Sequence, residues 1–269
     1  MPVSLFTGGI EPKDPNTPIW RFMEFWKFLD LMRGHMYFCR ADLFEDETEG
    51  LPEDEYIGTL GLNPYDLNDI QTRNNALGFD AQMRQSFFIT CWYLAGEETA
   101  RMWHSYAKGS GVAITSTFGT LKTILEPLAA DDPHLGLIRY GTKHVAEYPR
   151  RNLMVNISTK RKKYEDEKEV RAMLWIRDPH ESGNRHIDIN NCFHPRPIYP
   201  PNNPEGVHRL VDVQRLISEV IISPFADSSA HLDVERAIRD GGYSLPVRPS
   251  EMTANSIALP TAEDLRKYL

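Results

Sequence analysis

Apolar positions along the chain fall into short runs whose spacing switches between strand and helix periods. Ile19 to Met23 (IWRFM) is an apolar run interrupted by one charge, Arg21, and reads as a strand. Glu24 to Arg33 places Phe25, Phe28, Leu29 and Met32 at separations of 3, 4 and 7, which predicts an amphipathic helix closed by Gly34. Met36 to Cys39 reads as a strand through its aromatic content, followed by Arg40 to Phe44 and an acidic loop through Glu53. Residues 54–80 lack strong periodicity and read as loop with short helix. Ser86 to Tyr93 (SFFITCWY) is the continuous apolar run of a buried strand. Glu97 to Lys108 reads as a helix with Met102, Trp103 and Tyr106 on one face, broken by Gly109-Ser110-Gly111.

Beyond that break, Val112–Ser116, Leu137–Tyr140, Val170–Ile176 and Ser218–Ser223 read as strands, and Phe118–Leu128 and Asp233–Asp240 as helices. His186–Cys192 alternates and reads as a further strand, Leu210–Leu216 as a short segment, and Tyr243–Val247 as a terminal strand. Phe193–Pro204 holds five prolines and must be an irregular surface loop. Strands and helices alternate irregularly, and neither Gly8-Gly9 nor Gly109-Ser110-Gly111 has the strand–GxGxxG–helix context of a phosphate loop. The pattern predicts an α+β fold, a mixed β-sheet core with surrounding helices in a single domain spanning 19–250. An extended lead-in (1–18) precedes it, and a C-terminal tail with a short helix (251–269) follows.

Composition narrows this little. At 269 residues, 41% hydrophobic and 25% charged, the chain can build a substantial core. No stretch reaches the roughly 20 apolar residues that cross a bilayer, so no membrane partner is expected. Met1 to Pro18 lacks a basic segment followed by an apolar one, and the three cysteines (Cys39, Cys91, Cys192) are widely spaced. Both features point to the cytoplasm. A net charge of −8 argues against coating nucleic acid by bulk electrostatics. Locally the balance inverts: Arg139 to Lys163 carries eight Lys/Arg against one acid, Glu147. That stretch is either a solvated basic face or a patch facing the phosphates of a nucleotide or nucleic acid.

Several groups are candidates for chemistry. If the chain is extended from Glu167, then Glu167, Glu169 and Arg171 share one strand face. Paired carboxylates beside an arginine suit a metal site, or a pair in which one orients a sugar hydroxyl and its neighbour stabilises a cation. Otherwise they form ordinary exposed ion pairs. Arg40, Asp42, Asp46 and Glu49 follow a strand, where sites are often built. Trp92, Trp103 and Tyr106 can sandwich a ring or simply pack as core. Arg21 in its apolar run needs a carboxylate or a ligand phosphate as partner. Glu219, flanked by apolar strand residues, is either edge-exposed or aimed into a pocket. His104, His144, His186 and His194 show no ligand or triad spacing.

Taken in order, Trp20-Arg21-Phe22, Met36 to Gly50, Thr90-Cys91-Trp92, Glu97 to Tyr106, Gly111 to Thr117, Lys160 to Arg171, Leu216 to Ala226, and Val247 with Ser250 resemble a widespread, largely prokaryotic family classed as a domain of unknown function. That resemblance spans Ile19 to Ser250 and brings no activity with it. A second resemblance is to the ADP-ribosyltransferase fold: an arginine on a first strand (Arg21), a later strand with Thr90-Cys91, and a late strand bearing glutamate. It implies that the arginine holds NAD phosphate and the glutamate steers the nicotinamide ribose. Glu167-Lys168-Glu169 resembles that superfamily's two-glutamate motif, and Glu219 to Ile222 resembles the glutamate strand of its DNA-directed members; only one can be the counterpart.

The leading expectation is therefore an enzyme using NAD as substrate, or another nucleotide, of the ADP-ribosyltransferase-like toxin or antiphage-effector kind. In it Arg21 and Arg40 bind phosphate, Trp92 or Trp103 stacks on a ring, and Glu169 or Glu219 stabilises an oxocarbenium-like transition state. The rival expectations are a nuclease holding Mg²⁺ with Asp46, Glu49, Glu167 and Glu169, and a non-enzymatic module that binds nucleotide or nucleic acid.

Overall fold

The computed structural model describes residues 3–5, 10–44, 46, 49, 66–68, 83–107, 109–141, 153–176 and 204–252. They form an α+β domain around a sheet of nine strands. In chain order these strands are β1 (Pro18–Met23), β2 (His35–Arg40), β3 (Phe87–Leu94), β4 (Val112–Thr117), β5 (Pro133–Leu137), β8 (Glu169–Trp175), β9 (Gly206–Leu210), β10 (Glu219–Ile222) and β11 (Val247–Pro249). A separate two-stranded ribbon pairs β6 (Arg139–Tyr140) with β7 (Thr159–Lys160). Helices are α1 (Phe25–Met32), α2 (Ala100–Tyr106), α3 (Phe118–Leu125), α4 (Leu153–Ser158), α5 (Val213–Leu216) and α6 (Ala230–Asp240).

The sheet is forked. One edge of β3 pairs with β8 over its whole length, from Phe87↔Trp175 to Tyr93↔Glu169. The other edge is shared: β1 takes Tyr93 and Leu94, while β2 takes Phe88 and Ile89. Beyond β1 the order runs β4, β10, β11, and the last pairing is parallel while the others are antiparallel. Arg21 sits at the fork, where its guanidinium donates to the Tyr37 carbonyl (3.4 Å) and lies 5.9 Å from the Trp92 ring. Arg21 thus ties β1 to β2 where their backbones part; its partners among the described residues are this carbonyl and the ring rather than the expected carboxylate, and burial lowers its pKa to about 10.

Registers assign the two faces. Ile19, Met23, Trp92, Val112, Ile114, Val170, Ala172 and Leu174 point into the main core, closed by Phe28 and Leu31 of α1, Leu121 of α3 and Val234 of α6. The opposite face carries two smaller apolar clusters. Trp20, Phe22, Tyr93 and Ile221 pack on Met102 and Trp103 of α2, with the Phe22 and Trp103 rings edge-on at 4.9 Å. Phe87, Ile89 and Met173 pack on Met154 and Ile157 of α4. Between those two clusters, β3 and β8 place Cys91, Glu169 and Arg171, with Cys91 directly opposite Arg171. The sheet face therefore changes from oil to charge and back within a few residues.

Most predicted elements are present with shifted ends. The strand expected at Leu137–Tyr140 is two pieces, β5 beginning at Pro133 and the short β6; β9 and α4 carry too little periodicity to be anticipated. The terminal strand lies at Val247–Pro249 rather than Tyr243–Val247, because Gly241-Gly242 and Tyr243 still belong to the turn ending α6. The lead-in is not detached: Ser4 bridges to His134 and Ile10 to Leu137 along β5. The strand expected at His186–Cys192, most of the proline-rich loop and the tail beyond Met252 lie outside the described residues.

Candidate functional site

Arg171 anchors the site. Its side chain is 1% exposed and fully engaged. Nε donates to Glu169 Oε1 (2.6 Å), Nη2 to Glu169 Oε2 (3.1 Å) and to Glu49 Oε1, and Nη1 to the Ile157 carbonyl at the end of α4 (2.7 Å). The fork geometry of guanidinium makes this possible, since a lysine cannot serve three acceptors in one plane. Phe44 lies under the guanidinium at 5.3 Å.

Lys160, delivered by β7, completes the cluster. Its Nζ lies 2.6 Å from Glu167 Oε2, 3.3 Å from Glu169 Oε2 and 3.6 Å from Glu49 Oε2. The ribbon is fixed by Tyr140, whose hydroxyl accepts from the Glu169 amide (2.7 Å). Glu167 is not on the strand. It ends a 3-10 turn (Lys162–Glu167), and Lys168 follows in the left-handed region at φ 38°. That conformation costs a non-glycine residue on the order of 1 kcal/mol. It reverses the chain so that Glu167 and Glu169 meet the same ammonium, and the Leu94 amide pins it through the Lys168 carbonyl (2.8 Å). The expected strand face is thus half right: Glu169 and Arg171 share it, and Glu167 reaches the cluster by a turn.

The two neighbouring carboxylates are pushed in opposite directions. Burial alone raises the pKa of Glu169, but Arg171 and then Lys160 outweigh it and hold the carboxyl at about 2. Burial also raises that of Glu167, and there Lys160 does not fully compensate, so it stays above the ordinary value. For Lys160 burial opposes the charge, while Glu169, Glu49 and Glu167 hold the ammonium protonated. Three carboxylates (Glu49, Glu167, Glu169) against two cations (Lys160, Arg171) leave one net negative charge. Arg101 reaches Glu167 (3.5 Å) and Asp166 (3.4 Å), a further cation and a further carboxylate that cancel.

Cys91 is the one exposed residue of β3. With α2 and α4 covering this face on either side, its exposure marks a recess between them. Burial and the nearby Glu169 carboxylate push its thiol pKa well up, so the thiol stays neutral. Tyr106 on α2 is half exposed beside the same charges, its pKa raised by burial and Glu167.

Of the residues singled out from sequence, Glu49, Glu167, Glu169 and Arg171 converge, and Tyr106 faces them. Asp46 lies next to them through Arg161 (2.6 Å). The others do not join. Trp92 and Trp103 are 2% and 0% exposed, and the Trp103 indole N–H is bound to Glu98 (2.7 Å), so neither offers a stacking face. Arg21 and Arg40 sit opposite Ile114 and Phe88, on the core face rather than the recess face. Arg40 is held by Asp42 (2.6 Å) and the Pro204 carbonyl (3.2 Å). Glu219 lies four strands from Glu169 across the sheet, roughly 19 Å at the usual strand spacing. It pairs with Arg248 at 3.0 Å, in a second cluster with Glu98 and Ser250 that secures β11. Among the described residues no three acidic, histidine or cysteine side chains are grouped to hold a metal ion, and no helix is long and apolar enough to cross a membrane. Lys160, Cys91, Tyr140 and Arg101 complete the site, and the sequence assigns none of them an individual role. Lys160 lay inside the basic run, but only the ribbon pairing of β6 with β7 turns it inward.

No protein-family model, curated protein or solved structure matches this chain.

Proposed function

We propose that the chain is an enzyme that breaks the N-glycosidic bond of a nucleotide, with NAD as the substrate class and water or an acceptor group as the second reactant. One observation supports this above others: two carboxylates sharing one ammonium beside the solvent-reached Cys91, with protonation tendencies driven apart. Pairs tuned in this way divide acid–base labour in enzymes. Both touch Lys160, so those oxygens lie no more than about 6 Å apart, a limit that admits the spacing of paired carboxylates in retaining glycosidases.

As the ribosyl C1′–N bond breaks, its electron pair goes to the nicotinamide ring nitrogen and positive charge builds on the ribose. Glu169, ionised under all ordinary conditions and part of a cluster with net negative charge, stabilises that charge electrostatically. Glu167, with its raised pKa, takes the proton from the attacking hydroxyl as the new C1′–O bond forms. Arg171, itself braced by Glu49, holds Glu169 in place. The metal-nuclease reading is less well supported, because a divalent ion must displace Arg171 and Lys160 from the carboxylates they already occupy.

Incubating wild type, Glu169→Gln and Glu167→Gln with NAD, and quantifying free nicotinamide, tests the reading. Release by wild type and loss in both variants is the expected result. No release by wild type under any acceptor supplied would overturn it.

A further inference from the structure

Beside the recess lies a cationic platform that the carboxylate chemistry does not use. Arg161 caps the 3-10 turn and is held from two sides: Nη2 donates to Asp46 (2.6 Å) and to the Tyr164 hydroxyl (3.4 Å). Its Nε and Nη1 donate to nothing among the described residues, and the side chain is 49% exposed. Three cations surround the Tyr164 ring: Lys160 at 4.9 Å, Lys163 at 5.0 Å and Arg161 at 5.5 Å. Lys162 on the same turn has no acidic partner among the described residues. In a chain of net charge −8, a guanidinium fixed through Nη2 whose Nε and Nη1 still have hydrogens to give is poised for an oxyanion. Lys160 joins platform and recess, because the same ammonium that touches Tyr164 touches Glu169.

We propose that Arg161, Lys163 and Tyr164 bind a phosphate group of the substrate whose glycosidic carbon faces Glu169. Beside the net negative recess, the turn at its rim then presents Arg161, Lys162 and Lys163, with Asp46 anchoring Arg161. A substrate with an electron-poor reacting centre and an anionic phosphate arm is oriented by both ends at once. This deepens the reading above: it rests on that reading for the reaction, and adds which residues take the substrate's phosphate. The rim itself is judged by binding alone.

Calorimetric titration of inorganic pyrophosphate, ADP-ribose and a single-stranded oligonucleotide of about 12 nucleotides tests it. Wild type, Glu169→Gln, Arg161→Ala and Arg161→Lys are compared, with thermal melts to establish that each variant is folded. Pyrophosphate and ADP-ribose are expected to bind wild type, and Glu169→Gln at least as tightly. Arg161→Ala should weaken both about tenfold or more, and Arg161→Lys should fall between, because it keeps the charge and loses the guanidinium's anchor on Asp46 together with its directed donors. Absence of pyrophosphate binding to wild type, or unchanged binding in Arg161→Ala, overturns the proposal. Binding of the oligonucleotide alone overturns it too, in favour of a nucleic-acid surface. Pyrophosphate binding without nicotinamide release leaves the rim standing and sinks the reaction; release without pyrophosphate binding does the reverse.

Discussion

Replacing Arg171 with methionine removes the cation on which the cluster is built while keeping a long apolar stem. In the native protein Arg171 satisfies both oxygens of Glu169, one of Glu49 and the Ile157 carbonyl, all at buried positions. Removing it leaves two buried carboxylates sharing only Lys160, and such broken buried pairs cost roughly 3–5 kcal/mol. Set against a typical total of about 5–15 kcal/mol, that is a large fraction. The loss should also depend on pH. Glu169 has a folded pKa of about 2 against an ordinary 4.5, so it contributes about 3 kcal/mol, present above pH 4.5 and lost as pH falls toward 2. Without Arg171, burial and Glu49 push that pKa up, and acid no longer weakens the fold through this group. The difference between wild type and Arg171→Met should therefore shrink by about 2 kcal/mol between pH 7 and pH 3. Urea unfolding followed by tryptophan fluorescence at both pH values measures it. A cost below about 1 kcal/mol at pH 7, or one that does not change with pH, would refute the reasoning.

Glu167→Gln should melt at the same temperature as wild type or higher, because the raised pKa of Glu167 means its charge is a burden to the fold above the ordinary carboxylate range; a clear drop in Tm would mark the pair as structural. Lys168→Gly should stabilise by about 0.5–1 kcal/mol in urea unfolding, since glycine adopts φ 38° without penalty. Trp103→Ala should cost about 3–5 kcal/mol by the same measurement, consistent with a ring that is core rather than platform. Glu219→Gln should leave nicotinamide release unchanged and alter stability by less than about 1 kcal/mol, because its pair with Arg248 is partly exposed.

What the sequence made legible follows from what each signal measures. Continuous apolar runs such as SFFITCWY and VAITS report burial directly, and β3 and β4 lie where they should. Glu169 and Arg171 share a face because alternation in a strand is a local rule. Trp103 was ambiguous, because an aromatic stripe has the same spacing in a core as against a ligand, and only its 0% exposure decides. Glu49 meets Arg171 across 122 residues, and no local pattern encodes such a pairing. Cys91 was hidden for a different reason: a thiol reads as apolar within an apolar run, and its position in a recess depends on β8 lying beside β3. The fork that engages Arg21 is likewise a property of three strands together.

Glu167 and Glu169, side by side on one ammonium, hold protons with opposite tendencies. Carbon-13 NMR titration of the glutamate side-chain carboxyls, assigned with the Glu167→Gln and Glu169→Gln variants, reads this directly. Glu169 should remain ionised to about pH 2 while Glu167 takes up its proton above 4.5. Two superimposed transitions at the ordinary glutamate value would show two independent, water-exposed carboxylates and contradict the account.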